Sequence, residues 1–145
     1  MKVLGTWQGG YRTVLEDSTG HRVTVDLPRD EGGENAGPFA LELSVLSLAG
    51  CVTTIFALVA QKRRLKFEGM SIELDAQRPV GAPTIASVEG VLRVTTTASR
   101  DEVESTFDIT LRTCPVGVLY EKAHIPVRVR LEVVSPQTPV EALLR

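Results

Sequence analysis

The longest apolar stretch of the chain runs from Leu43 to Ala60 and contains no charged residue. Its apolar side chains point all round a helical wheel, which is typical of a helix that is buried on every side or that crosses a membrane. Gly37-Pro38 precedes the stretch, and the cationic run from Gln61 to Arg64 follows it, as suits a helix C-terminus. The pattern predicts a long central helix around which the other elements are arranged.

The polar residues within this stretch favour a core helix over a membrane span. Two serines, two threonines and Gly50 interrupt it, and Glu42 directly precedes it. Its length of about 18 residues would suffice to cross a bilayer, but the flanking segments alternate as the strands of soluble proteins do. No signal-peptide pattern follows Met1. We therefore expect a soluble protein with a buried central helix and no membrane partner.

Six other segments have the composition or the alternation of strands. The first three are separated by the short turns at Gly9-Gly10 and Asp17 to Gly20, which predicts an antiparallel meander. The other three come after the central helix and complete the sheet structure. The predicted strands are Val3–Gln8, Tyr11–Leu15, His21–Leu27, Phe67–Ala76, Ile85–Thr97 and Pro126–Val133.

A second helix is predicted between the last two strands. Ser99 and Glu102 fit a capping box, and apolar residues then recur at helical spacing, which predicts a helix over Asp101–Thr113. Pro115 ends it, because the residue before a proline avoids the helical region. Val116–Ala123 is a candidate for one more short helical turn.

These elements predict an α+β protein with a single domain over residues 1–145. The loop from Pro28 to Gly37 is polar and rich in glycine and acids, so we expect it to be mobile. We expect the tail from Ser135 to Arg145 to be loosely held. Because one small sheet cannot cover a helix that is apolar all round, a homodimer is expected in which the second subunit covers the remaining face.

Composition narrows the partners and the compartment. The apolar fraction of 43% and the charged fraction of 23% are ordinary for a globular protein. A net charge of −2 gives no reason to expect nucleic acid or an anionic membrane surface as a partner. Two cysteines without a secretory signal indicate a reducing compartment, and we expect a cytoplasmic protein.

Cys51 lies inside the central helix and Cys114 ends the second one, so any pairing of the two would be tertiary. From the residues alone they are either buried cysteines that act as small apolar side chains or a reactive pair. His21 and His124 stand at no metal-ligand spacing to either cysteine, so we expect no metal. A serine hydrolase has no support, because the chain contains no G-x-S-x-G.

Two motifs carry a family resemblance. The segment from Gly37 to Cys51, GPFALELSVLSLAGC, resembles the central-helix motif of the OsmC/Ohr family, the osmotically inducible and organic hydroperoxide resistance proteins. That motif is a proline, then a glutamate, then a leucine- and alanine-rich run that ends in two small residues and a cysteine. Cys114-Pro115-Val116 resembles the family's second motif. The order of elements is similar from about Val3 to Val133.

The resemblance implies an OsmC-like fold, with antiparallel sheets wrapped around the buried central helix in an intertwined homodimer. It implies a cysteine-based peroxidase of the oxidative stress response that acts on small apolar hydroperoxides. Cys51 would become a sulfenic acid and Cys114 would resolve it as a disulfide. A dithiol, which in the hydroperoxide-resistance branch of the family is a lipoylated protein, would reduce that disulfide, and neither a metal nor an organic cofactor would be bound. An apolar pocket would include Phe56.

A thiolate inside an apolar helix needs a nearby cation, because burial disfavours the charged form and the helix dipole acts only near the helix ends. In the family an arginine close to an N-terminal Gly-Gly turn has this role, and Arg12 matches it with an offset of one residue. The alternative for Arg12 is a solvated strand residue.

The family's glutamate holds that arginine and lies ten positions before the cysteine, where this chain has Leu41. Glu42 is the neighbouring acid. It could reach Arg12 from a turn before the helix, but it would aim elsewhere if the helix has already begun, since one residue rotates the direction by about 100°. The alternative for Glu42 is a carboxylate that favours the first helical turn.

Two functions therefore stay open. The first is a thiol peroxidase for organic hydroperoxides that uses Cys51, Cys114, Arg12 and Glu42. The second is an OsmC-like protein that binds a small molecule or senses redox state with little peroxidase turnover. The peroxidase predicts two sulfurs close enough to bridge and an arginine at the Cys51 thiol. The binding protein predicts a closed apolar pocket without that cation.

Overall fold

A computed structural model of the chain describes residues 1–136. The chain forms two compact units, and the boundary between them falls within the long helix, between Leu46 and Ser47. The α+β class predicted from the sequence is confirmed. The single-domain interpretation over residues 1–145 stays a prediction, and most of the tail predicted to be loosely held lies outside the described residues.

The first unit begins with the predicted antiparallel meander, in the order β1-β2-β3. The second strand begins two residues later than predicted, because the turn after the first strand extends to Arg12, whose N–H donates to the carbonyl of Gly9. Gly9 and Gly10 both have positive φ angles, of 102° and 54°, which suits glycine in such a turn. The strands are β1 (Val3–Trp7), β2 (Thr13–Asp17) and β3 (Arg22–Val25).

The loop after β3 is folded, where the sequence predicts a mobile segment. It contains a short 3₁₀ turn, Arg29–Glu31. The buried Asp26 carboxylate accepts backbone N–H groups from both sides of that turn. A Cβ atom at Gly33 would stand 1.9 Å from the carbonyl oxygen of Leu27, so this close approach of backbone to backbone requires glycine.

The central helix, α1, spans Ala40–Arg63 and is longer at both ends than the predicted stretch. It ends at Arg64, which has a φ of 59°, and the N–H of Leu65 returns to the carbonyl of Ala60. The buried side chains of α1 recur at every fourth residue and lie along one stripe, and the other faces of the helix are less buried. The buried residues are Leu48, Val52, Phe56 and Ala60.

The single chain leaves part of α1 exposed, as expected for a helix that is apolar on every side and is packed against one small sheet. Leu46 and Leu58 are 54% and 46% exposed. By length and apolar composition alone α1 could also span a membrane, but a core helix of a soluble protein passes the same test.

The second unit places its sheet against the later part of α1. Its strands are β4 (Gly69–Gln77), β5 (Ser87–Thr95) and β6 (Val127–Val134). The β4–β5 pair is antiparallel, but β5 and β6 are parallel, so the prediction of purely antiparallel sheets is wrong here. Two helices separate β5 from β6 in the sequence and provide the long crossover that parallel neighbours need.

The crossover helices are α2 (Arg100–Thr113) and α3 (Pro115–Lys122). The predicted capping box at the start of α2 is confirmed, since Ser99 and Glu102 each bond the other's backbone N–H. The core of this unit joins α1, α2 and the sheet. The ring of Phe56 meets that of Phe67 edge-on, with the centroids 5.8 Å apart. The fully buried members of the core include Phe56, Ala60, Leu92, Val94 and Val103.

Candidate functional site

The two cysteines meet in the second unit. Cys51 lies in the middle of α1 and is half-buried, while Cys114 is 1% exposed, and both are free thiols. The Cys51 side chain helps to raise the pKa of the Cys114 thiol, so the two side chains lie close together. The structure thus brings together two sulfur atoms that are far apart in the sequence, as the peroxidase interpretation requires.

Cys114 owes its position to the break between two helices. It is the single residue between α2 and α3, with an extended backbone (φ −66°, ψ 110°). Pro115 follows it as the first residue of α3, which keeps Cys114 out of the helical conformation. The N–H of Gly117 donates to the Cys114 Sγ at 3.4 Å, so this thiol caps α3.

The environment makes the two thiols unequal. Burial raises the pKa of the Cys114 thiol to about 11, and the hydrogen bond to Cys51 and charge on Cys51 act in the same direction. The N–H of Gly117 opposes this rise in the pKa. Cys114 is therefore protonated at neutral pH. The arrangement can support one nucleophilic thiolate beside one neutral thiol.

A groove of about 600 Å³ runs along Cys114. Its polar lining includes Glu121 and His124, and His124 lies two residues after the end of α3 with a φ of 57°. Phe56, which the sequence interpretation places in an apolar pocket, is instead fully buried in the core. The remaining lining of the groove is mostly apolar: Leu48, Val52, Leu111, Ile125, Pro126 and Val127.

Arg12 lies in the turn between β1 and β2, in the first unit. Its guanidinium Nη1 is 2.9 Å from the Glu34 Oε2. Sequence reasoning missed Glu34, because a solvent-exposed acid in a glycine-rich loop carries no spacing signal. Arg12 belongs to a different unit from the cysteines, and its role toward Cys51 stays a prediction.

Glu42 does not pair with Arg12. The helix has already begun at Ala40, so Glu42 is an exposed residue of its first turn. Within residues 1–136, the Glu42 side chain forms neither an ion pair nor a hydrogen bond. Of the two options that the sequence leaves open, the structure matches the one in which the helix has already begun at Glu42. A carboxylate there suits the positive end of the helix dipole.

No group of three histidine, cysteine or acidic side chains that could hold a metal ion is present in the described part of the chain. His21 instead bonds Asp17 in the turn before β3, with its Nδ1 2.9 Å from the Asp17 Oδ2.

Comparison with known proteins identifies relatives of this fold. The family model for OsmC-like protein matches residues 32–130. An OsmC-like protein from Mycoplasma pneumoniae has a TM-score of 0.79 at 14% identity, and the match covers 92% of this chain and 96% of that one. Among curated proteins, none matches the chain.

Two similar crystal structures are named organic hydroperoxide resistance proteins. The one from Legionella pneumophila has a TM-score of 0.65 at 19% identity, covering 92% of this chain and 97% of that chain. The one from Elizabethkingia anophelis has a TM-score of 0.65 at 18% identity, covering 93% and 96%. At these identities the likeness establishes a shared fold.

The raised pKa of Cys114 predicts slow alkylation of that thiol. At about pH 8 we expect iodoacetamide to modify Cys114 at least tenfold more slowly in the folded, reduced protein than in urea, because the thiolate is the nucleophile. Peptide mass spectrometry measures both cysteines in one sample, so the half-buried Cys51 is the internal control. Replacing Cys51→Ser removes the neighbouring thiol that helps to raise the pKa of Cys114 and should speed the reaction of Cys114. Equal rates for Cys114 in folded and unfolded protein would contradict the assigned environment.

Proposed function

The chain belongs to the OsmC-like protein family, and on that premise we propose that it is a thiol peroxidase that reduces organic hydroperoxides. The observation that carries the proposal is the proximity of the Cys51 and Cys114 thiols, one half-buried and the other buried. The names of the Legionella and Elizabethkingia proteins, which refer to organic hydroperoxide resistance, support the same activity.

The first step would be attack by the Cys51 thiolate on an oxygen of the hydroperoxide. The O–O bond breaks, the alkoxide leaves and takes up a proton to become an alcohol, and Cys51 becomes a sulfenic acid. Arg12 would supply the cation that stabilises the thiolate, and Glu42 would act only as a carboxylate at the start of α1. The apolar surroundings of α1 suit a hydroperoxide with an organic substituent better than hydrogen peroxide.

In the second step Cys114 would attack the Cys51 sulfur. The S–O bond breaks, water leaves with the proton that Cys114 gives up, and a disulfide forms. Two thiols of an external dithiol then exchange with this disulfide, so the dithiol is oxidised and both cysteines return to thiols. A dithiol such as the lipoyl group of a lipoylated protein is the proposed reductant. A reducing cytoplasm is the proposed compartment, because both thiols must be regenerated there.

One observation favours a second function. The groove beside Cys114 has the volume of a small-molecule site, which usually spans roughly 300–1,000 Å³. An OsmC-like protein that binds a small molecule or senses redox state could use this groove and the cysteine pair with little turnover of peroxide.

Turnover with a dithiol tests the peroxidase proposal. We expect the protein to consume cumene hydroperoxide in the presence of dihydrolipoamide, more slowly with hydrogen peroxide, and far more slowly with glutathione as the reductant. Cys51→Ser should abolish consumption, because the nucleophile is lost. Cys114→Ser should form a sulfenic acid that dimedone traps. Hydroperoxide that persists with every reductant, while a ligand screen finds saturable binding, would replace this proposal with the binding function.

We also propose that the protein is a homodimer, since a single chain leaves apolar surface uncovered. α1 buries one stripe and exposes Leu46 and Leu58, and all five residues of β1 are exposed, including Trp7. A second copy that covers this surface would remove apolar side chains from water, which favours association.

Sedimentation velocity tests the dimer. At micromolar concentration we expect a single species of twice the chain mass, and Leu58→Lys should shift it toward the monomer by placing a charge in the interface. Val80→Lys is the control, because Val80 is a fully exposed loop residue. A monomeric wild-type protein would refute the dimer.

A further inference from the structure

The turn that carries Arg12 holds its backbone firmly. The Arg12 N–H donates to the Gly9 carbonyl, and its own carbonyl accepts the N–H of Gln8 at 2.8 Å. The side chain is 40% exposed and extends to the Glu34 Oε2 at 2.9 Å. A carboxylate paired to a guanidinium limits the rotamers that the long arginine side chain can adopt.

Asp26 holds the backbone of Glu34, the acidic partner of Arg12. The Asp26 side chain is 3% exposed, and its Oδ2 accepts the backbone N–H groups of Glu34 at 3.0 Å and of Ala36 at 3.1 Å. Its Oδ1 accepts the N–H of Leu27 at 2.9 Å. Three backbone donors on one carboxylate fix the loop on both sides of Glu34. The backbone from which the Glu34 side chain extends therefore has a defined place.

The ionisation of Asp26 is consistent with this role. The backbone hydrogen bond from Ala36 is the largest cause that lowers the pKa of Asp26, burial opposes it, and the charge of Arg12 lowers it further. The carboxylate is therefore ionised at neutral pH, and the Arg12 guanidinium lies within the electrostatic influence of Asp26 as well as in contact with Glu34.

The loop geometry requires two glycines. A Cβ atom on Gly37 would lie 2.1 Å from the carbonyl oxygen of Thr24, and one on Gly33 would lie 1.9 Å from that of Leu27. A side chain at either position would clash with a backbone carbonyl group, so this folded form of the loop requires glycine at both positions. The glycine-rich composition thus permits a compact loop that presents Glu34 to Arg12.

We propose that Glu34 is the carboxylate that positions Arg12 for the reaction and that Asp26 in turn positions Glu34. The inference rests on the proposed function, in which Arg12 stabilises the Cys51 thiolate. The resemblance assigns the positioning role to a glutamate on the central helix, but this chain has Leu41 there, and the neighbouring Glu42 does not pair with Arg12. A carboxylate from a separate loop supplies the missing partner.

The exposure of the ion pair makes the inference testable. The Glu34 side chain is 74% exposed, so its salt bridge contributes little to stability. A substitution of Glu34 should therefore change the reactivity of Cys51 without changing the melting temperature, which a merely structural role would not do.

The experiment uses full-length protein with Cys114→Ser, so that Cys51 is the single reacting thiol. Stopped-flow kinetics with cumene hydroperoxide give the rate constant of sulfenic acid formation across the pH range. We expect Glu34→Gln to lower this rate constant at neutral pH by about tenfold, as the loss of one hydrogen bond to a charged group would, and to move the rise of the pH profile upward. Glu34→Asp should recover part of the rate.

Matched variants make the test decisive. Glu31→Gln, an exposed acid of the same loop, should leave the rate unchanged. Glu34→Gln added to Arg12→Gln should cause no further loss, because Glu34 acts through Arg12. A wild-type rate for Glu34→Gln, or a larger loss for Glu42→Gln than for Glu34→Gln, would overturn the inference.

The experiment distinguishes a failure of the Glu34 inference from a failure of the proposed peroxidase function. If Arg12→Gln slows the reaction while Glu34→Gln does not, the inference fails and the proposed role of Arg12 stands. If neither variant changes the rate but Cys51 still reacts, both residues lose their roles while the peroxidase survives. If Cys51 does not react with the hydroperoxide in any variant, the proposed function itself is refuted, and with it the positioning role.

Discussion

The proximity of the Cys51 and Cys114 thiols is the interaction on which the proposed chemistry of this chain depends. Two features of the fold create it. The packing of α1 through Phe56 and its neighbours against the sheet fixes the helix that carries Cys51. Pro115 forces a break between α2 and α3, and the single residue at that break is Cys114. Because the first thiol is half-buried and the second is buried, the pair is unequal before any substrate binds. The fold thus gives the two cysteine side chains different degrees of burial, and burial raises the pKa of the Cys114 thiol.

A thiolate in apolar surroundings needs a positive charge, and the first unit of the chain contains a well-held one. Arg12 is anchored by its backbone in a glycine turn and by its side chain on Glu34. Behind Glu34, the buried Asp26 gathers three backbone N–H groups of the following loop. The sequence predicts that this loop is mobile. In the structure, hydrogen bonds to the Asp26 carboxylate hold it in a folded form. We propose that this arrangement takes the place of the carboxylate on the central helix that the family resemblance implies.

Much of the fold follows from local sequence signals, and the exceptions have physical causes. The capping box at Ser99 and the alternation of the strands depend on neighbours in the sequence, so they predict α2 and the meander well. The parallel pairing of β5 with β6 is non-local, and alternation does not specify strand direction. In the site, the resemblance of the two cysteine motifs to the family predicts the pair, whereas Glu34 could not be found, since its place depends on hydrogen bonds to Asp26. The apolar pattern of α1 does not show which of its faces the rest of the chain covers, because that depends on contacts with residues distant in the sequence.

The measurement that tests the central claim most directly is the mass and disulfide map of the reduced protein after one equivalent of an organic hydroperoxide. The account predicts rapid loss of both thiols, a mass lower by about two hydrogens, and a peptide in which Cys51 and Cys114 are joined. The same treatment of Cys51→Ser should leave Cys114 as a free thiol. If both thiols of the wild-type protein persist in excess hydroperoxide, their contact is not a redox pair, and the peroxidase account is contradicted.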